Sequence, residues 1–196
     1  MTSPTRSALL GLRQEQQAMR EGTVFLDEKC LLLAAEIMSQ LRALQALEAR
    51  MAPARGRIRD TLAAALRRHG LNGLQCQPPA TPGTRQWRTH ARSLLGVMLV
   101  DAAVEGDVGP APPAVNPSPE AADCRAAWSE WIALVARRAN LQSNLWRLHG
   151  EYRRTARRVR ALEDVLLPEL GHEADAMDAA LEATEQEERS CLTRRP

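Results

Sequence analysis

Aromatic side chains are nearly missing from this 196-residue chain, which has one Phe, one Tyr and four Trp, 3% in all. A thick globular core leans on Phe and Tyr for buried area. Their scarcity argues against an ordinary α/β or β-sandwich core and against the usual enzyme pocket. Lysine is scarcer still, because Lys29 is the only one among 26 basic residues. A phosphate-binding loop of the form G-x-x-x-x-G-K-[ST] is therefore excluded, since Asp27-Glu28-Lys29-Cys30 has neither the glycine nor the hydroxyl. No strong net charge is present either: at +2, no global field drives the chain onto nucleic acid. The longest contiguous apolar run, Leu94 to Val100, is far shorter than the roughly 18 residues of a membrane span. Cys30, Cys76, Cys124 and Cys191 show no CxxC spacing and no secretory leader precedes them, so they read as reduced intracellular thiols.

The motifs of catalysis and metal binding are wanting too. His69, His90, His149 and His172 lie far apart, with no i, i+4 pair and no HExxH-like spacing. G-x-S-x-G and G-x-G-x-x-G do not occur. The expectation is a chain with no catalytic residue, no cofactor and no metal of its own.

What the chain does have is Leu, Ala and Arg in helical periodicity. Eight of the twelve prolines fall between Pro78 and Pro119, so the middle reads as loop and the flanks as long helices. Stepping 4,3 along the first flank from Leu12 passes through Met19, Leu26, Leu33, Ile37 and Leu44 and continues to Ala65. Twelve of the sixteen positions on that seam are apolar. Pro4 and Thr5 suit a helix start, Gly70 a stop, and Pro53 predicts a kink. The second flank repeats the pattern from Trp131 through Leu145, Leu148, Tyr152, Val159 and Leu162 to Leu166, with nine of eleven positions apolar. There the stripe jumps by one residue to Leu170, Ala174, Met177 and Leu181, next to Pro168, so a register skip and a kink are expected together.

The expected fold is all-α: a long antiparallel two-helix coiled-coil hairpin, a single domain over 1–196. Residues 5–70 form the first helix, 71–119 a loop-rich middle and 120–190 the second helix. Helices of about sixty-five residues would each run about 100 Å. In the middle, Leu94 to Val100 is the one strand-like stretch, and Thr81-Pro82-Gly83 and Gly106-Asp107-Val108-Gly109-Pro110 are turn material. A small β-hairpin or short helices would both fit there. Trp128, Trp131 and Trp146 are expected to pack inside the helical hairpin. Trp87, between Arg85 and Arg88, is divided evenly between packing and partner contact.

Charge falls in blocks. Arg137 to Arg160 holds eight arginines and one acid, Glu151, whereas Ala161 to Glu188 holds ten acids and no Arg or Lys. Arg42 to Arg68 carries seven arginines against Glu48 and Asp60. The run Arg153, Arg154, Arg157, Arg158 invites comparison with a DNA-reading basic helix. The seam, however, continues through it at Tyr152, Thr155 and Val159, whereas such a region is left free of its partner helix. No nucleic-acid partner is expected.

Two linked motifs at opposite ends carry a family resemblance. Pro4-Thr5-Arg6, Leu9-Leu10, Leu12-Arg13, Ala18, Gly22, Leu26 and Lys29 resemble the opening of the D subunits of V-type and A-type rotary ATPases. The usual form there is P-T-R-x-x-L-L-x-L-K, a Gly, then L-L-K-x-K-R-D. Arg157-Arg158-Val159-Arg160-Ala161-Leu162-Glu163, with Val165, Leu167-Pro168 and Leu170, resembles its R-R-V-N-A-L-E-x-V-x-I-P-x-L. The match covers both helices in order, and this chain is similar to a divergent bacterial member. It departs from the family at Asp27 and Cys30, which replace Lys and Arg, and at Arg160, which replaces Asn.

The resemblance implies a non-catalytic central-stalk component, the rotor shaft that couples ATP hydrolysis or synthesis to proton or sodium transport. Implied partners are the F subunit, the catalytic A/B hexamer and the funnel-shaped subunit on the membrane ring. The implied location is cytoplasmic, peripheral at the membrane face, with no membrane insertion of this chain. Partner-contact candidates are Arg6, Arg13, Arg153, Arg154, Arg157, Arg158, Glu163 and Trp87. The competing reading is a stand-alone coiled-coil adaptor or scaffold. A membrane-surface protein binding lipid through Arg42–Arg68 is disfavoured, because the seam there is narrower than a lipid-facing stripe.

Overall fold

The computed structural model describes residues 5–78, 83, 86–106, 109 and 112–193. Pro4, the Thr81-Pro82 turn, Arg85, Asp107, Val108 and Pro110 lie outside the described residues, so the expectations placed on them are not addressed. In order along the chain come α1 (Arg6–Gln75), β1 (Gln86–Leu94), β2 (Val97–Glu105), α2 (Pro119–Ala161), a π-helical turn (Leu162–Leu166) and α3 (Leu167–Thr193). The chain is all-α apart from one two-stranded antiparallel sheet.

Local chemistry sets the helix ends. Thr5 Oγ1 accepts the Ala8 N–H at 3.2 Å, a cap on the first free donors of α1. Ser118 does the same for α2, its Oγ accepting the Ala121 N–H at 3.1 Å, and Pro119 follows at the first helical position, where it has no donor to lose. Within α1 only Gly70 leaves helical angles, at φ 66 and ψ 173, so one further turn to Gln75 follows the expected stop. Pro53 keeps helical angles and sits exposed, so no break occurs there.

The chain divides into two compact units, residues 1–34 with 151–196 and residues 35–150. In the first, the N-terminal part of α1 lies antiparallel to the C-terminal segment: Arg6 pairs with Glu185, Arg13 with Asp178 and Lys29 with Glu151. Leu9, Thr23, Leu33, Thr155, Val159 and Ala174 are buried here, and Leu12, Met19, Leu26, Tyr152 and Leu162 half-buried. The one-residue jump in the stripe is taken up by the π turn, in which the Leu167 N–H bonds to the Leu162 carbonyl, five residues back. Pro168 supplies the cause, since it lacks an N–H and its ring crowds the carbonyl of Asp164 four residues earlier. A turn holding one residue more relieves that clash. Ala174 is accordingly buried, and Leu170, Met177 and Leu181 half-buried, beyond the turn.

In the second unit α1 and α2 are again antiparallel, tied by Arg57–Glu130 at 2.8 Å and Arg138–Glu48 at 3.5 Å. Their core is Leu47, Met51, Ala54 and Leu134, with Trp131 and Leu141 packed against it. Ile37, Leu44 and Leu145 are half-buried and Leu148 fully buried. The β-hairpin corrects the strand reading of the middle. Leu94 to Val100 is not one strand, because Leu95 and Gly96 both take positive φ, 51° and 85°, and form a two-residue turn inside the run. Leu94 pairs with Val97 across it, and the ladder extends to Gln86–Glu105.

The hairpin is docked by side chains that no periodicity reveals. Val97 and Leu99 point into the unit and are buried. Asn144 of α2, fully buried, accepts the Val100 N–H through Oδ1 and donates to the Val100 carbonyl through Nδ2, both at 2.9 Å. Val100 lies opposite Ala91 and turns its backbone groups away from β1, so Asn144 completes the ladder on the outer edge of β2. Arg147 adds a bond to the Met98 carbonyl at 3.0 Å, and Arg92 of β1 reaches Glu36 of α1 at 2.6 Å.

Candidate partner-binding surfaces

Three surfaces stand out once the seams are accounted for. The first is the charged end of the first unit. Arg6 and Arg13 are engaged by their own chain's acidic block, at Glu185 and Asp178, and with Leu9, Leu10 and Leu181 they line a shallow groove. Arg6 is largely exposed, so water screens this pair and its contribution to stability is small. Arg6 holds the Glu185 carboxyl below the usual carboxylate range, through a hydrogen bond and its charge.

The second surface is the arginine cluster of the first unit. Arg153, Arg154, Arg157, Arg158 and Glu163 are all exposed. Arg154 sits 3.2 Å from Glu151, and Arg157 donates to the Arg153 carbonyl. Beneath them lies the contact that the sequence reading missed. Lys29 and Glu151 meet at 2.7 Å with only 17% and 19% of their side chains exposed. The hydrogen bond from Lys29 lowers the Glu151 pKa first, with the charges of Lys29, Arg154 and Arg158 acting the same way and burial opposing them. Composition held the signal: the chain's one lysine meets the one acid of the 137–160 block. Cys30 is pushed up by burial first and then by the charge of Asp27, which keeps it a thiol.

The third surface is apolar and belongs to the second unit. The tryptophans are not all packed inside: Trp131 is half-buried, but Trp128 is 43% and Trp146 69% exposed. They start and end a second 4,3 stripe, Trp128, Ile132, Val135, Ala139, Gln142 and Trp146, all exposed. At 3.6 residues per turn this stripe is rotated about 110° from the seam, so α1 cannot cover it. Trp87 of β1 is exposed as well, at 62%.

No group of three or more His, Cys, Asp and Glu among the described residues is placed to hold a metal ion. His69 is tied to the helix cap, its Nε2 2.6 Å from Ser118 Oγ. Cys30, Cys76 and Cys124 are free thiols. One reading from contiguous runs is corrected by α1, which contains an 18-residue window long and apolar enough to cross a membrane, 11% of it buried. A thin pairing of two helices buries only one stripe of each, which leaves Leu31, Leu32 and Met38 exposed on a helix of this composition.

Two helices bridged by ion pairs, a docked hairpin and surfaces without a chemical cleft define an assembly component in form. The chain matches the family of ATP synthase D subunits over residues 8–194 and belongs to that family. It is 29% identical over 198 residues to the V-type ATP synthase D subunit of Anaeromyxobacter dehalogenans strain 2CP-1, with 97% of this chain and 93% of the relative covered. Against the V-type ATP synthase D subunit of Thermotoga neapolitana the identity is 23%, covering 95% and 92%. Against the V-type ATP synthase D subunit numbered 2 in Treponema pallidum it is 24%, covering 94% and 89%.

Proposed function

We propose that this chain is the non-catalytic central-stalk component of a V/A-type ATPase, transmitting torque between the A/B catalytic hexamer and the ion-translocating membrane ring. The observation that carries the reading is family membership along nearly the whole chain, residues 8–194. Its physical support is the pairing of helices in each unit. A rotor must resist twisting, and shearing one helix past another disrupts every layer of a continuous seam and every ion pair across it. The Lys29–Glu151 pair and the Leu47–Met51–Leu134 core are two such layers.

On this reading ATP is hydrolysed or made on the partners, and the present chain supplies an asymmetric surface. Arg153, Arg154, Arg157, Arg158, Glu163 and Trp87 are its partner-contact candidates, all exposed. Arg6 and Arg13 are available once Glu185 and Asp178 are exchanged for partner acids. The F subunit and the funnel-shaped ring adaptor complete the proposed set of partners, at the cytoplasmic face of the membrane. The test is reconstitution with the A, B and F subunits of the same organism. A stalk component co-purifies in a fixed ratio and gives the assembly its ATP-driven rotation. A chain that leaves the A/B hexamer unbound and runs alone would instead be a stand-alone coiled-coil adaptor.

A further inference from the structure

The exposed stripe of α2 has a definite chemical surround. From Arg125 to Gly150 the only acid is Glu130, and it is paired with Arg57. At about 100° per residue Glu130 lies about 160° around α2 from the stripe, whereas Arg125, Arg138 and Arg147 lie about 60–100° from it. The stripe runs for about 27 Å, from Trp128 to Trp146. At its centre Val135 opens into a groove between α1 and α2, lined by Met51, Ala52, Arg55, Trp131 and Arg138. Ala52 has almost no side chain to block a close approach. Arg55 lies 5.6 Å over the Trp131 ring and has no carboxylate partner among the described residues.

We propose that this groove and stripe seat an amphipathic helix of a partner protein. That helix would bear aliphatic side chains every three to four residues on one face, with Asp or Glu beside them. Three features select this occupant over others. The 4,3 spacing and straight run match the apolar face of a helix, which docks by such anchors. Tryptophan at both ends and Ile132 and Val135 between them form an apolar patch of the kind that carries binding energy once desolvated. The arginine rim, with its one acid turned to the far side, favours acids on the incoming helix and repels a second copy of this basic face.

For the identity of the occupant the inference rests on the stalk reading above, which offers the F subunit as the lateral partner. The experiment is titration calorimetry of the full chain with purified F subunit. The wild type is compared with the double variant Ile132→Asp/Val135→Asp, with Trp146→Ala, with Arg55→Glu, and with Phe25→Ser on an exposed face of the other unit. The double variant and Trp146→Ala are expected to weaken binding at least about 30-fold, as loss of a hot spot does. Arg55→Glu is expected to weaken it about tenfold and to flatten the salt dependence, and Phe25→Ser to leave it unchanged. Trp146→Ala removes a largely exposed side chain, so it reports on binding even if the double variant fails to fold. Wild-type affinity in both stripe variants, with the complex intact, overturns this seat and leaves the stalk reading standing. Loss of binding in Phe25→Ser as large as in the stripe variants also overturns the seat, as does self-association of the chain that the stripe variants abolish. No complex with wild-type chain overturns both readings.

Discussion

Replacing Asn144 with leucine tests the role of the hairpin latch. The side chains are close in volume, so the change removes two hydrogen bonds and leaves the Val100 N–H and C=O against an isobutyl group. Each unpartnered backbone group costs about 1–3 kcal/mol, and Val100 is only half-buried, so the sum is about 2–5 kcal/mol. An isolated two-stranded hairpin is marginal in water, so the undocked strands should fray. The amides of Leu99 and Asp101, which face β1, should then exchange with solvent roughly 30-fold to a few thousand-fold faster. Native-state hydrogen exchange followed by mass spectrometry or NMR reads this directly, and urea titration gives the total. Asn144→Asp adds a sign test. A buried carboxylate can accept the Val100 N–H but faces the Val100 carbonyl, so its folded pKa is raised above the unfolded value near 3.9. The variant should be least stable above that raised pKa and should recover as the pH falls toward 4, where the protonated acid can donate to the carbonyl. Unchanged exchange at Leu99 and Asp101 in Asn144→Leu, with an unchanged urea midpoint, would refute the latch.

Two further perturbations follow from the other polar contacts and from the backbone. Glu151→Gln keeps the shape of the Lys29 contact but not its charge and should cost about 1–3 kcal/mol at neutral pH. Because the folded pKa of Glu151 is lowered, its contribution is present above the unfolded value near 4.3 and is lost as the pH falls through the folded one. Urea midpoints of wild type and variant should therefore converge at low pH, and a gap that persists there contradicts the pairing. Gly70→Ala should cost about 1–3 kcal/mol, because φ 66 and ψ 173 is a region only glycine occupies readily. A Cβ there meets nothing within 4 Å, so the loss is backbone strain alone, and thermal melting of the variant at or above wild type would exclude it.

Much of the fold is legible in the linear pattern because a two-helix seam is a local, periodic feature. The steps from Leu12 to Ala65 and from Trp131 to Leu162 place every position on the buried or half-buried side. Even the π turn leaves a trace, since a one-residue jump beside Pro168 is what a wider helical turn requires. The hairpin is less legible. Its turn uses Leu95 at positive φ where Asn or Gly is usual, so Leu94 to Val100 reads as one strand. Periodicity misplaces Trp128 and Trp146 because apolar character alone does not say which of two stripes on a helix faces its partner.

The shortage of aromatics, the single lysine and the 4,3 runs of Leu and Ala determine by themselves a chain of paired long helices without a thick core. Local spacing and turn chemistry carry that much, because they act within a few residues. Tertiary structure decided the rest: that Lys29 meets Glu151, that Asn144 closes the outer edge of β2, and that one apolar stripe of α2 is left uncovered. Each of these joins residues distant in sequence or depends on which face a neighbour occupies. A pattern along one strand of sequence records the rotation of a side chain about its own helix, and only packing determines what stands opposite.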